Sequence, residues 1–129
     1  RNVAGLANEW FLGATFRFEM NAKPSLDNMN IMLERRKMTQ PLGLPSCGSV
    51  FRNPKGDHSA RLIEAAGLKG YRIGGAEVSE KHANFIINRE NASATDIEEL
   101  IEHVRQTVID EHGVSLIHEV CIVGERLDD

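Results

Sequence analysis

Residues 95–112 leave the fold the least freedom. Ile97, Leu100, Ile101, Val104 and Val108 recur at the spacing that puts them on one face of an α-helix, and Gly113 supplies a stop. Thr95 followed by Glu98 has the pattern of a capping box at the helix start. A helix with one apolar stripe must lie on something. The residues after it, 114–123, are apolar at odd and even positions alike, which predicts a last strand covered on both sides.

Upstream the periods change repeatedly. Residues 12–18 alternate, with Leu12, Ala14, Phe16 and Phe18 on one face and Gly13, Thr15 and Arg17 on the other, a strand pattern that begins almost at once. Because residue 1 is Arg and not an initiator Met, this opening reads as a cut made inside a longer protein. Pro24 and Ser25 then open a helix reaching about Met38, with Leu26, Met29 and Leu33 on one stripe, widened by Met32. Arg35, Arg36 and Lys37 crowd its last turn, where cations suit the helix dipole or face an anion.

Pro41, Gly43 and Pro45 break the chain into a loop, and residues 49–52 read as a short strand ended by Asn53 and Pro54. Residues 59–66 form a short helix with Leu62, Ile63 and Ala66 inward, closed by Gly67 in a left-handed conformation. Strand pieces at 71–73 and 84–88, separated by Gly74 and Gly75, predict a hairpin-like excursion. This order predicts an α+β fold, a small mixed sheet packed with two or three helices.

Composition narrows the function classes. A chain of 129 residues with 41% apolar and 26% charged residues builds one core, burying roughly 65–70% of its unfolded surface, without a metal or disulfide staple. Cys47 and Cys121 are too few for a disulfide framework, and no Cys or His pair has zinc-site spacing, so the expectation is a reducing cytoplasm and no metal. No run of about 18 apolar residues points to a membrane span. The net charge of −4 is uneven: residues 1–89 carry 13 Lys and Arg against 8 Asp and Glu, residues 90–129 carry 2 against 11. An acidic whole argues against nucleic acid, while the basic part leaves room for one small anion.

Two positions carry candidate chemistry. Glu119 lies within the last strand, sharing a face with Ile117, Cys121 and Val123, so its carboxylate should point into apolar surroundings. Burial there either raises its pKa and makes it a proton or hydrogen-bond donor, or is relieved by an Arg or Lys partner. Ser49 follows Gly48 at the start of a strand, as a substrate contact or as a turn serine bonding its own backbone. Without a second Gly two residues later this is no nucleophile elbow, and Cys47 has no partner base in view. His58, His82, His103, His112 and His118 are scattered; His82, beside Lys81 at the entry to a strand, is best placed to meet an anionic or carbonyl oxygen. No dinucleotide-binding glycine pattern is present.

The run Pro45-Ser46-Cys47-Gly48-Ser49-Val50-Phe51-Arg52-Asn53-Pro54, preceded by Gln40-Pro41-Leu42, resembles the UDP-N-acetylenolpyruvoylglucosamine reductase (MurB) family of peptidoglycan synthesis. Leu62-Ile63-Glu64-Ala65-Ala66-Gly67-Leu68-Lys69-Gly70, Ile73-Gly74-Gly75-Ala76-Glu77-Val78-Ser79, Lys81-His82-Ala83-Asn84-Phe85-Ile86-Ile87-Asn88 and His118-Glu119-Val120 follow in the family's order. The resemblance covers about residues 11–125. It implies that residues 1–20 end with the last strand of a preceding FAD-binding portion and that residues 21–129 are the C-terminal substrate-binding domain. It further implies a cytoplasmic flavoprotein oxidoreductase serving cell shape and division, in which NADPH reduces FAD and the flavin reduces UDP-N-acetylglucosamine enolpyruvate to UDP-N-acetylmuramate.

By position, the resemblance makes Ser49 the proton donor, Glu119 the residue stabilising the enolic intermediate, and Asn53 and His82 substrate contacts. It puts the FAD-binding residues in the missing portion, a partner without which this chain is expected to be inactive. Three features depart from the family: Cys121 stands where many members carry Arg, Gln40 lies near the place of a lysine that Arg35 or Arg36 would have to replace, and the spacing is that of the shorter class, without the loop whose tyrosine reaches substrate. The competing class is a non-catalytic α+β module that binds a nucleotide-sugar or a protein.

Overall fold

The computed structural model describes residues 10, 12–20 and 25–124. Three helices and four strands follow in the order α1 (Leu26–Thr39), β1 (Ser46–Ser49), α2 (Ser59–Ala65), β2 (Arg72–Ile73), β3 (Ala76–Val78), β4 (Phe85–Asn88) and α3 (Ala94–His112). The architecture is α+β as expected, but every ladder is antiparallel, so the sheet is not mixed; its order is β1-β4-β3-β2. Short connections explain the direction: the two-residue Gly74-Gly75 turn and the loop from β3 to β4 are too short for the crossover that parallel strands need.

The turn at Gly74 and Gly75 sets the hairpin register, pairing Ile73 with Ala76 and Arg72 with Glu77. Both glycines are needed. Gly74 has φ +51, and a Cβ there would meet the Asp96 carboxylate, while one on Gly75 would lie 2.5 Å from Glu90 O and 2.6 Å from Ala92 N. β3 was not expected as a separate strand. It carries Ala76 and Val78 into the core on one face and Glu77 on the other.

Helix α3 packs on β2, β3 and β4, with Leu100, Val104 and Val108 at 1% exposure or less. Its start differs from the sequence reading. Ser93, not Thr95, is the N-cap: its hydroxyl accepts the Asp96 N–H at 3.0 Å, and the Asp96 carboxylate accepts the Ser93 N–H at 2.9 Å. Those bonds, with one from Gly75 N–H, hold the Asp96 carboxyl below its ordinary value. Gly113 ends the helix in the left-handed conformation, as expected. Helix α2 closes likewise at Gly67, whose N–H reaches Glu64 O while that of Leu68 reaches Ile63 O.

Three apolar patterns find little or no cover among the described residues. Residues 12–19 form no strand and are exposed, with Leu12 at 99% and Phe18 at 82%. The expected strand there has no described neighbour to complete its hydrogen bonds. Helix α1 forms over nearly the expected span, capped by Ser25, with Pro24 outside the described residues; yet none of its residues is buried. Its terminal cations serve the helix itself: Lys37 pairs with Glu34 and Arg36 donates to Gln40. Finally, the strand expected over residues 114–123 is reduced to one bridge, Phe51 to His118, and only Leu116 is buried along it. A bulge between Ser46 and Ser49, with Gly48 at φ +85, shifts the register of edge strand β1 against β4.

Candidate active site

The sequence candidates gather along the seam between residues 49–53 and 117–119. β1 ends at Ser49, opposite Phe85 of β4, so the expected strand over 49–52 lies three residues earlier and Ser49 is its exposed last member. Beyond it the chain pairs outward: Glu119 N–H donates to Val50 O at 2.7 Å and Arg52 N–H to Ile117 O at 2.8 Å. Glu119 is therefore bonded through its backbone to Val50, the residue next to Ser49.

Glu119 is not in apolar surroundings. Its side chain is 48% exposed, with Oε1 3.7 Å from Arg52 Nε. The alternation was read correctly, but Ile117, Cys121 and Val123 on its face are exposed too, so that face has no apolar cover among the described residues. The buried carboxylate is Glu77. At 2% exposure it accepts from Arg72 Nε at 2.5 Å and from Arg89 Nε and Nη2 at 3.2 Å, on the face of β3 away from α3. A buried acid so paired is costly to break, by about 3–5 kcal/mol, because the remaining charges lose their partner. The signal was present: a two-residue loop at 74–75 places 72 opposite 77.

Asn53 has a local task, its Oδ1 accepting the Ser59 N–H at 3.1 Å while Ser59 Oγ donates to Arg52 O at 2.6 Å. These bonds satisfy a donor of the first turn of α2 and fix the loop between seam and helix. His82 stacks edge-on against Phe85 at 4.8 Å between ring centres, and its Nδ1 accepts the Asn84 N–H at 3.3 Å. Partial burial, with Lys69 nearby, keeps its pKa below the ordinary 6.5. With Nδ1 accepting that bond, Nε2 is the ring nitrogen left to donate. Neighbouring Lys81 is engaged elsewhere, donating to Lys37 O at the end of α1.

Among the described residues, three of the grooves are lined by none of Ser49, Asn53, His82 and Glu119. One of about 350 Å³ lies between Cys47, Ile86, Ile97 and Val120, and one of about 230 Å³ between Ile97, Ile101, Val120 and Cys121. The third, of about 200 Å³, lies beside Glu77, Lys81 and Arg89. The first two are mostly apolar and the third is small. None fits a flavin dinucleotide, which needs a slot for its ring system and donors for its diphosphate. Among the described residues, no three His, Cys, Asp or Glu side chains group as metal ligands. No described helix is long and apolar enough to cross a membrane.

Fold and seam together define a class: an α+β domain whose edge strand β1 ends at a serine and runs on beside a segment that carries a glutamate. A family model described as the C-terminal domain of UDP-N-acetylenolpyruvoylglucosamine reductase matches residues 40–123. The chain belongs to that family. It is 58% identical over 126 residues to the UDP-N-acetylenolpyruvoylglucosamine reductase of Alkalilimnicola ehrlichii, spanning 97% of this chain and 42% of that protein. The Thiobacillus denitrificans reductase is 56% identical over 119 residues, 92% of this chain and 37% of the relative. The crystal structure of the Thermus caldophilus reductase (MurB) superposes with a TM-score of 0.59 at 40% identity, covering 70% of this chain and 31% of that one. The chain thus spans about two fifths of the length of the curated relatives it matches.

Proposed function

We propose that this chain is the substrate-binding part of a cytoplasmic, flavin-dependent reductase that converts UDP-N-acetylglucosamine enolpyruvate to UDP-N-acetylmuramate in peptidoglycan synthesis, with NADPH as reductant. One observation carries the reading: the match to the reductase's C-terminal domain runs through both segments of the seam, where Glu119 N–H bonds the carbonyl of Val50, the residue after Ser49. The FAD is assigned to the part of the longer protein that this chain does not span, with residues 1–20 as its last strand and 21–129 as the substrate domain. When bound, the reduced flavin supplies a hydride to the enolpyruvyl methylene carbon.

The residues of this chain manage the charge that hydride addition leaves on the substrate. Negative charge gathers on the adjacent carbon and on the substrate carboxylate, and Ser49 gives its hydroxyl proton to that carbon. A hydroxyl is a weak acid, and an enolate carbon is basic enough to take its proton. Glu119 faces the same charge. It is assigned to stabilise that charge together with Arg52, whose Nε lies 3.7 Å from Glu119 Oε1, and covering the exposed seam with substrate strengthens the attraction to the Arg52 cation by excluding water. Asn53 and the Nε2–H of His82 contact the UDP-sugar.

The test uses the full-length protein loaded with FAD. Supplied with NADPH and the enolpyruvyl sugar, it is expected to form UDP-N-acetylmuramate in step with NADPH consumption. NADPH oxidation that the sugar does not accelerate would contradict the reading.

A further inference from the structure

Ser49 and Glu119 meet one short piece of backbone, residues 50–51, and one buried side chain holds it. Asn84 is 4% exposed. Its Oδ1 accepts the Phe51 N–H at 2.9 Å and its Nδ2 donates to Phe51 O at 2.8 Å, so the amide replaces a rung of the ladder just beyond Phe85, where β4 begins. The backbone of Asn84 joins in: its carbonyl accepts the Val50 N–H at 2.9 Å, and its N–H donates to His82 Nδ1 at 3.3 Å. Val50 O then receives Glu119. From one residue, bonded paths of one or two steps reach the neighbours of Ser49, Glu119 and His82.

We propose that Asn84 is a positioning residue: by clamping both polar groups of Phe51, it fixes the direction in which Ser49 leaves β1 and the register at which Glu119 meets the seam. The inference rests on the roles proposed for Ser49 and Glu119. Only an amide in this orientation satisfies a donor and an acceptor on the same residue, and removing it leaves both Phe51 groups buried without partners. The segment then has to shift to find others, and a displacement of about 1 Å at a reacting group costs about 100-fold in rate.

The test compares full-length, FAD-loaded protein carrying Asn84→Ala with wild type and with Val104→Ala, a core cavity in α3 that leaves the hydrogen bonds of residues 50–51 in place. Two readouts are taken: hydrogen exchange of a peptide covering residues 50–53, and the single-turnover rate of flavin reoxidation at saturating enolpyruvyl sugar. Asn84→Ala is expected to speed exchange at 50–53 and slow reoxidation about 100-fold, with flavin reduction by NADPH within about twofold of wild type. Val104→Ala, if merely less stable, lowers the reactive amplitude and leaves the rate constant alone. Reoxidation by Asn84→Ala within about threefold of wild type, while Ser49→Ala is slow, overturns the proposal and spares the functional reading. Wild type that the sugar fails to reoxidise overturns both. Should Asn84→Ala not fold, Asn84→Asp keeps the acceptor for Phe51 N–H and loses the donor to Phe51 O; a wild-type reoxidation rate there also overturns the proposal, and a loss of about tenfold or more supports it.

Discussion

Helices α1 and α3 both carry apolar residues at helical spacing, in a weaker and more mixed stripe on α1, and they meet opposite fates. In α3 the stripe is sealed against the sheet, with Leu100 at 0% and Val104 at 1% exposure, whereas in α1 Met29 stays at 50%, Met32 at 72% and Leu33 at 47%. The same contrast separates residues 50–116, where pattern and burial agree, from residues 12–19 and 117–123, where apolar residues stand open. An apolar stripe states a demand for cover. It does not say whether the cover belongs to the same stretch of chain, and this chain spans about two fifths of its relatives.

Substitutions sharpen the contrast, beginning with the most severe. Gly75→Ala puts a methyl group against the backbone of Glu90 and Ala92, neither of which can yield, so the hairpin and the start of α3 separate. It is expected to cost more than about 4 kcal/mol and to abolish cooperative thermal unfolding. Leu100→Ala leaves a cavity between α3 and the sheet and should lower stability by about 2–5 kcal/mol, read from the denaturant midpoint at unchanged slope. Ser93→Ala removes the N-cap and should cost about 1 kcal/mol, while Thr95→Ala stays within about 0.5 kcal/mol; equal losses would return the cap to Thr95. Leu33→Ala in α1 should change stability by no more than about 0.5 kcal/mol in this chain. A larger cost in the full-length protein would show that α1 is covered there.

These outcomes also mark what the sequence could reveal. Helix α3, the glycine stops at 67 and 113 and the turn at 74–75 were legible because local chemistry decides them, through period and left-handed φ, but the strand after that turn is 76–78, not 84–88. The position of the cap was missed by two residues because Ser93-x-x-Asp96 and Thr95-x-x-Glu98 overlap, and only the Gly75 N–H bonded to Asp96 favours the first. The burial of Glu119 was misread because alternation gives a face without saying whether that face is covered. Glu77 was overlooked although the loop length at 74–75 fixes its partner, Arg72. Asn84 left no local signal, since its partner lies 33 residues away.

The most direct measurement separates the two half-reactions of the full-length enzyme in Ser49→Ala. Flavin reduction by NADPH should remain within about twofold of wild type, while reoxidation by the enolpyruvyl sugar falls by about 100-fold or more, in the range that loss of a positioned proton donor produces. Reoxidation at the wild-type rate would remove the seam from the chemistry.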